Sequence, residues 1–301
     1  MYNGINFFYE KFKIWTSTQK IRTFFGIFLA LTSLICLYIG GLPVVIMSLF
    51  LISIGANEYK QFMLNIGVSP FFYIITSISF IILVITIYKF AYLIPFVIFF
   101  GIFLSFCAIL ISKRKPYIAN IATTILGFLI CWLPCHLILL SQLNTKILSV
   151  FGVPVDIGMA YLFVLFAAVA ATDIGARVIG SKFGRKKLIE EISPHKTIVG
   201  SIGGGVCSII TTMILGMFLK EHLLESAFVG ALITINAQVG DLSLSTLKRD
   251  ANLKHSGELF LDYGGILDRL DSFMFSAPIL YYYVKYSHLL KSSILFILHK
   301  I

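Results

Sequence analysis

The sequence predicts an all-α, polytopic membrane protein with eight or nine transmembrane helices, and three observations carry that prediction. Hydrophobic residues make up 58% of the 301 and charged residues 13%, with a mean hydropathy of +0.93, a composition that no ordinary soluble domain has. Uncharged apolar runs recur along the chain at or somewhat below the roughly 20 residues a helix needs to cross a bilayer, and none alternates in the manner of a barrel strand. The basic residues fall in alternate connections, the charge asymmetry expected of loops that face opposite sides of a membrane.

In chain order, the first run is Phe24–Ile39, preceded by Lys11, Lys13, Lys20 and Arg22. It leads through Gly40-Gly41-Leu42-Pro43 into a second run without a small-x-small cleavage pattern, so it reads as an anchor rather than a removable signal. Further runs follow at Leu42–Ala56, Ser69–Tyr88, Ala91–Ile111, Tyr117–Ser141, Ile157–Ala176, Ile198–Leu219, Ser226–Val239 and Ser272–Val284. With the N-terminus inside, the inner connections carry Lys60, then Lys113-Arg114-Lys115, then Lys182 to Lys196, then Lys248 to Arg269; the outer ones carry only Lys89, Lys146 and Lys220. The net charge of +10 is therefore mostly a topology signal, with an anionic membrane surface as its natural neighbour and no reason to expect a nucleic-acid partner. Cys36, Cys107, Cys131, Cys135 and Cys207 all lie in apolar runs, where a thiol packs as a small hydrophobe, and suggest no disulfide framework.

Of the 14 acidic residues, only Glu10 and Glu58 precede residue 150. Residues 1–150 accordingly read as a transmembrane scaffold and 151–301 as the region that carries chemistry, with an inner-face polar loop over 240–271. Each piece of that loop has a bland reading: Lys248-Arg249 obeys the inside-positive rule, and Gly264-Gly265 makes a turn. Together they suggest more. Asp268 and Asp271, three residues apart at a helix start, share one face near the positive end of its dipole, and Asp241 ends the preceding span on the same side. Carboxylates converging from two helix ends suit Mg²⁺, which takes a few hard oxygens plus phosphate oxygens of a substrate, so Asp241, Asp268 and Asp271 are the candidate metal ligands. Lys248, Arg249, Lys254 and Arg269 would then meet phosphate charge.

These residues resemble the C-terminal signature of the phosphatidate cytidylyltransferases, or CDP-diacylglycerol synthases. The signature reads approximately S-x-L-K-R, four residues, K-D-x-G, then P-G-H-G-G-x-L-D-R-x-D. Here stand Ser245-Thr246-Leu247-Lys248-Arg249, Lys254-His255-Ser256-Gly257 and Leu261 to Asp271 at the same spacing. Gly240-Asp241-Leu242 is similar to the family's G-D-L, and Ala171–Thr197 to its A-D-T-G-A-Y…S-P-x-K-T segment, whereas Gly40 to Tyr59 matches loosely. The resemblance implies cytidylyl transfer from CTP to phosphatidate with Mg²⁺. It assigns Asp241, Asp268, Lys248 and Arg249 to catalysis, and Ser245, Lys254, Arg269, Lys196 and Asp173 to substrate binding. It further implies an integral protein of a bacterial inner membrane or a plastid membrane, the likeness being greatest to cyanobacterial and plastid members, with its site on the cytoplasmic or stromal face; a homodimer is allowed. The sequence departs from the signature at His255, where the family has Asp, at Leu261-Asp262-Tyr263, where it has P-G-H, and at Val199, where it has Glu.

Other signals are weaker. Cys131-x3-Cys135-His136, beside Pro134, reads as core packing. Gly200–Gly205 reads as a close helix contact rather than a nucleotide cradle, since no strand precedes it. His195, His222, His288 and His299 read as solvated or interfacial. Two other functions stay open: a transporter, against which the one-sided clustering of acids argues, and a non-catalytic relative binding CTP or lipid, motivated by the three departures. Asp173–Arg177 imitates the start of a CDP-alcohol phosphotransferase motif, but the Gly and Asp residues that should follow are missing.

Overall fold

The computed structural model describes residues 31–39, 41–143, 147–150, 153–253, 256 and 265–298, the side chains of 147–150, 153–155 and 288–298 excepted. Lys254, His255 and Tyr263 lie outside the described residues. The chain is helical over 31–39 (α1), then forms α2 (Gly41–Asn65), α3 (Phe72–Ile87), α4 (Ile94–Ser112), α5 (Tyr117–Trp132), the short α6 (His136–Ser141), α7 (Ile157–Phe183), α8 (Ile198–Phe218), α9 (Leu223–Asp250) and α10 (Leu267–Leu298). Six helical stretches are long and apolar enough to cross a membrane among the described residues: Gly41–Asn65, Ala91–Ser112, Tyr117–Ser141, Ile157–Phe183, Ile198–Phe218 and Leu223–Asp250. The architecture is that of an all-α polytopic membrane protein. Two small antiparallel hairpins, β1 (Ile147–Val150) with β2 (Val153–Asp156) and β3 (Lys187–Ile189) with β4 (Ser193–Thr197), were not anticipated from the sequence.

Two boundaries differ from the sequence reading for identifiable reasons. The run Tyr117–Ser141 is interrupted by a 3-10 turn at Leu133–Cys135, where Pro134 has no amide hydrogen to continue the ladder. The stretch 240–271 is not a loop throughout. α9 continues to Asp250 and α10 starts at Leu267. Gly240 to Arg249 contains no proline, and Gly240, Leu244, Ser245 and Lys248 are buried at helical spacing, so packing carries the helix past its apolar part.

Within a bilayer, helices gain little from burying apolar surface against one another and rely on close packing and hydrogen bonds. The α7–α8 contact follows that rule. A Cβ on Gly204 would lie 2.5 Å from the Thr172 carbonyl oxygen, and one on Gly200 would lie 2.7 Å from that of Ala176. The Gly200–Gly205 stretch is a helix contact, as the sequence suggested, although the reason given there fails, since the short strand Ser193–Thr197 does precede it. Thr172 and Thr234 join α7 to α9 through their hydroxyls at 3.1 Å, a bond of a kind worth about 0.6 kcal/mol in membranes. Cys131 and Cys135 are buried in apolar cores. One of these cores gathers Tyr59, Phe62, Ile75, Ile78 and Phe128 from the first half of the chain with Leu244, Leu267 and Met274 from the second. The N-terminal helices therefore pack directly on the helix ends that hold the polar residues.

Helix ends collect on two sides. At one, Gln142 donates to the Ile87 carbonyl at 3.3 Å, and Tyr161 donates to Glu221 at 3.3 Å. At the other, Asn120 bridges the Ser69 amide and the Arg114 carbonyl, and Glu58 reaches residues 256, 266 and 267.

Candidate active site

The last three turns of α9, the start of α10 and the β3–β4 hairpin meet at the second of these ends. Asp241 projects from α9 and forms an ion pair with Lys196 of β4. Its other oxygen accepts from the Ser245 hydroxyl, one turn on, at 3.3 Å. Lys248, a turn further and nearly buried, pairs with Asp268 of α10 at 2.6 Å. The second oxygen of Asp268 accepts the Ser256 amide at 2.8 Å and the Gly265 amide at 3.2 Å. Burial opposes the charged form of Asp268, but Lys248 and these amides prevail and hold its carboxyl below the usual carboxylate range.

Asp271 sits three residues on. One of its oxygens accepts from its neighbour Ser272, through the amide at 2.6 Å and the hydroxyl at 3.3 Å. Burial, then the Asp241 carboxylate and to a lesser degree Asp173, push the Asp271 carboxyl up, with Lys248 opposing. α9 and α10 touch here: a Cβ on Gly240 would lie 2.2 Å from the Asp271 carbonyl oxygen. Asp173, on an exposed face of α7, is within electrostatic reach of Asp241, Lys196 and Arg177. Arg249 points elsewhere, donating to the Ile192 carbonyl at 2.9 Å and so bracing α9 on the hairpin. Arg269 follows Asp268 in the first turn of α10 and is half-buried.

Of the residues picked out from the sequence, Asp173, Lys196, Asp241, Ser245, Lys248, Asp268 and Asp271 thus share one region. The three candidate metal ligands do not form a ready-made cage, since no group of three His, Cys, Asp or Glu among the described residues is arranged to hold an ion. The donor set nevertheless fits Mg²⁺, which is commonly bound by one or two carboxylates together with water and substrate phosphate. Asp241 and Asp271 repel one another, and a divalent cation would relieve that repulsion.

Glu58 was missed as a site residue. It is 5% exposed, on α2, and accepts from Ser256 Oγ at 3.0 Å, the Ile266 amide at 2.9 Å and the Leu267 amide at 3.0 Å. The available signal was its isolation: it is one of two acids before residue 150, and it closely follows an apolar run.

The profile of the cytidylyltransferase family matches residues 20–287. A phosphatidate cytidylyltransferase of Synechocystis is 42% identical over 129 residues, 42% of this chain and 44% of that protein. A chloroplastic phosphatidate cytidylyltransferase 4 of Arabidopsis thaliana is 34% identical over 195 residues, 60% of this chain and 50% of that protein. An Escherichia coli protein, the uncharacterized YnbB, is 36% identical over 130 residues, 43% of this chain and 44% of that protein. The chain spans about half the length of the curated relatives it matches. Because the family match covers nearly the whole chain, from α1 through most of α10, and takes in both ion pairs and Glu58, the chain belongs to the cytidylyltransferase family.

Proposed function

We propose that this site transfers a cytidylyl group from CTP to phosphatidate, forming CDP-diacylglycerol and releasing pyrophosphate. The observation that carries the reading is the paired arrangement Lys196–Asp241 and Lys248–Asp268 across β4, α9 and α10, within a chain of the cytidylyltransferase family. A phosphate oxygen of phosphatidate attacks the α-phosphorus of CTP, and the bond to the β-phosphate breaks. With a second pKa of about 6, a phosphomonoester is largely deprotonated at neutral pH, so the nucleophile needs no strong base. The demand is to neutralise charge between two polyanions and hold them in line. Lys248, oriented by Asp268, and Lys196, oriented by Asp241, meet phosphate oxygens, with Arg269, Lys254 and Ser245 as further contacts and Asp173 lining the site. Asp241 and Asp271, with Asp268, would hold Mg²⁺, which supplies positive charge between the phosphates. Arg249 serves by fixing the hairpin that carries Lys196.

The site lies on the cytoplasmic or stromal face, where the basic connections gather, so that CTP arrives from water and phosphatidate from the leaflet. α3, the apolar part of α10 from Ser272 and the run Phe24–Ile39, of which 24–30 lie outside the described residues, join the six longer helices as crossings, giving nine. α3 spans about 24 Å, less than a typical hydrocarbon core of roughly 30 Å, and crosses by local thinning or burial among its neighbours. The departures at His255, Tyr263 and Val199 favour one second reading, a relative that binds CTP or lipid without turnover.

Asp268→Asn tests the assignment. It should lower CDP-diacylglycerol formation by at least about 100-fold, the scale of losing one charge-stabilising group, with the protein still membrane-inserted. Near-normal turnover in that variant would remove Asp268 from the machinery.

A further inference from the structure

Glu58 carries an acidic group into a helix that is otherwise apolar for most of its length, a placement that is costly without a role. No lysine, arginine or histidine pairs with it among the described residues. Its charge is met by three donors contributed from the other half of the sequence, Ser256 Oγ and the amides of Ile266 and Leu267.

Those amides belong to the start of α10, where the first turn of any helix leaves its N–H groups without intrahelical acceptors. Here each is accounted for. Gly265 N–H goes to Asp268, Ile266 and Leu267 N–H go to Glu58, and Asp268 N–H goes to Ser256 Oγ at 3.3 Å. Ser256 closes the circuit, giving its hydroxyl to Glu58 and its amide to Asp268. The approach is tight: a Cβ on Gly265 would lie 2.1 Å from Ser256 Oγ and 2.3 Å from both Glu58 oxygens. The Asp268 carboxylate, which holds Lys248, is thus fixed by a network whose base is Glu58.

We propose that Glu58 is a positioning residue for the transfer step: it sets the start of α10, and with it Asp268 and Lys248, from a helix about 200 residues away in sequence. This rests on the activity proposed above. A side chain that only stabilised the fold would change how much protein is folded; one that positions Asp268 changes what each folded molecule does.

The test compares wild type, Glu58→Gln and Glu58→Asp, purified in detergent and assayed per mole of folded protein with CTP, phosphatidate and Mg²⁺. Glutamine matches the size but replaces one acceptor oxygen by an NH₂ group, leaving an amide of α10 facing a donor. Its kcat should fall about 10- to 100-fold, the usual consequence of losing a residue that orients a ligating carboxylate, with KM for CTP little changed. Glu58→Asp keeps the charge and should recover part of the loss. Hydrogen exchange of amides 265–268 should quicken in Glu58→Gln while that of α8 stays as in wild type. Wild-type kcat in Glu58→Gln, a loss seen only as less folded protein, an aspartate no better than glutamine, or unchanged exchange at 265–268 would each overturn the inference. Wild-type protein that forms no product would instead overturn the activity on which it rests, and the positioning role of Glu58 with it.

Discussion

At the scale of single residues, the Lys248–Asp268 pair stands out, because both side chains are almost out of solvent and each is the other's countercharge. Removing one partner of a buried pair costs more than the pair itself contributes, on the order of 3 kcal/mol, since the remaining charge is left without compensation. The pair also has a pH signature. Asp268 is held below the usual carboxylate range in the folded protein, so its contribution to stability is present above that range and is lost as pH falls through the lowered value. Lys248→Met removes the largest of the effects that hold it down and leaves only the Ser256 and Gly265 amides to oppose burial, so acid unfolding should begin at higher pH than in wild type. Coincident acid-unfolding curves, followed by tryptophan fluorescence, would contradict the pairing. Asp241, Lys248 and Asp268 were legible in the sequence because their spacing sits in one short stretch. Glu58 was not legible as a site residue, since all its partners lie 198 to 209 residues away and nothing local announces them.

Among the elements, the sequence located the apolar parts of helices better than their ends. α9 was expected to stop near Val239, yet it runs to Asp250, since burial of Leu244, Ser245 and Lys248 continues the helix into polar sequence. That extension brings Lys248 and Asp241 onto one rigid helix, two turns apart, instead of leaving them on a loop. The β3–β4 hairpin escaped notice for the opposite reason: its strands of three and five residues are too short to show a period, and Pro194 within β4 reads as a strand breaker. The order and direction of the helices give a prediction of their own. Lys113 and Lys186 are exposed in connections at the site's end of the bundle, Lys89 and Lys220 in connections at the opposite end. Cysteines replacing Lys113 and Lys186 should therefore react with an impermeant maleimide from one side of sealed vesicles, and cysteines replacing Lys89 and Lys220 from the other. Any other partition would mean that a helix counted as a crossing does not cross.

For the whole molecule, the sequence suggested a scaffold half and a chemical half, and the packing shows how closely the two are joined. Tyr59, Phe62 and Phe128 share a core with Leu244 and Leu267, and Glu58 extends that contact into the polar network. The all-α membrane architecture was legible because composition and run length report it directly. The joining of the halves was not, because side-chain contacts between distant helices leave no periodic trace. The central proposal is that this bundle brings a nucleotide from water and a lipid from the leaflet to one set of paired lysines and carboxylates. Its most direct test is the fate of isotope in CTP incubated with purified wild-type protein, phosphatidate and Mg²⁺ in detergent. Label in the α-phosphate should pass into a chloroform-soluble product that migrates as CDP-diacylglycerol, while label in the γ-phosphate should appear in aqueous pyrophosphate. If α-label stays in the aqueous phase across neutral and mildly acidic and alkaline pH, the protein does not carry out the transfer and the central claim is contradicted.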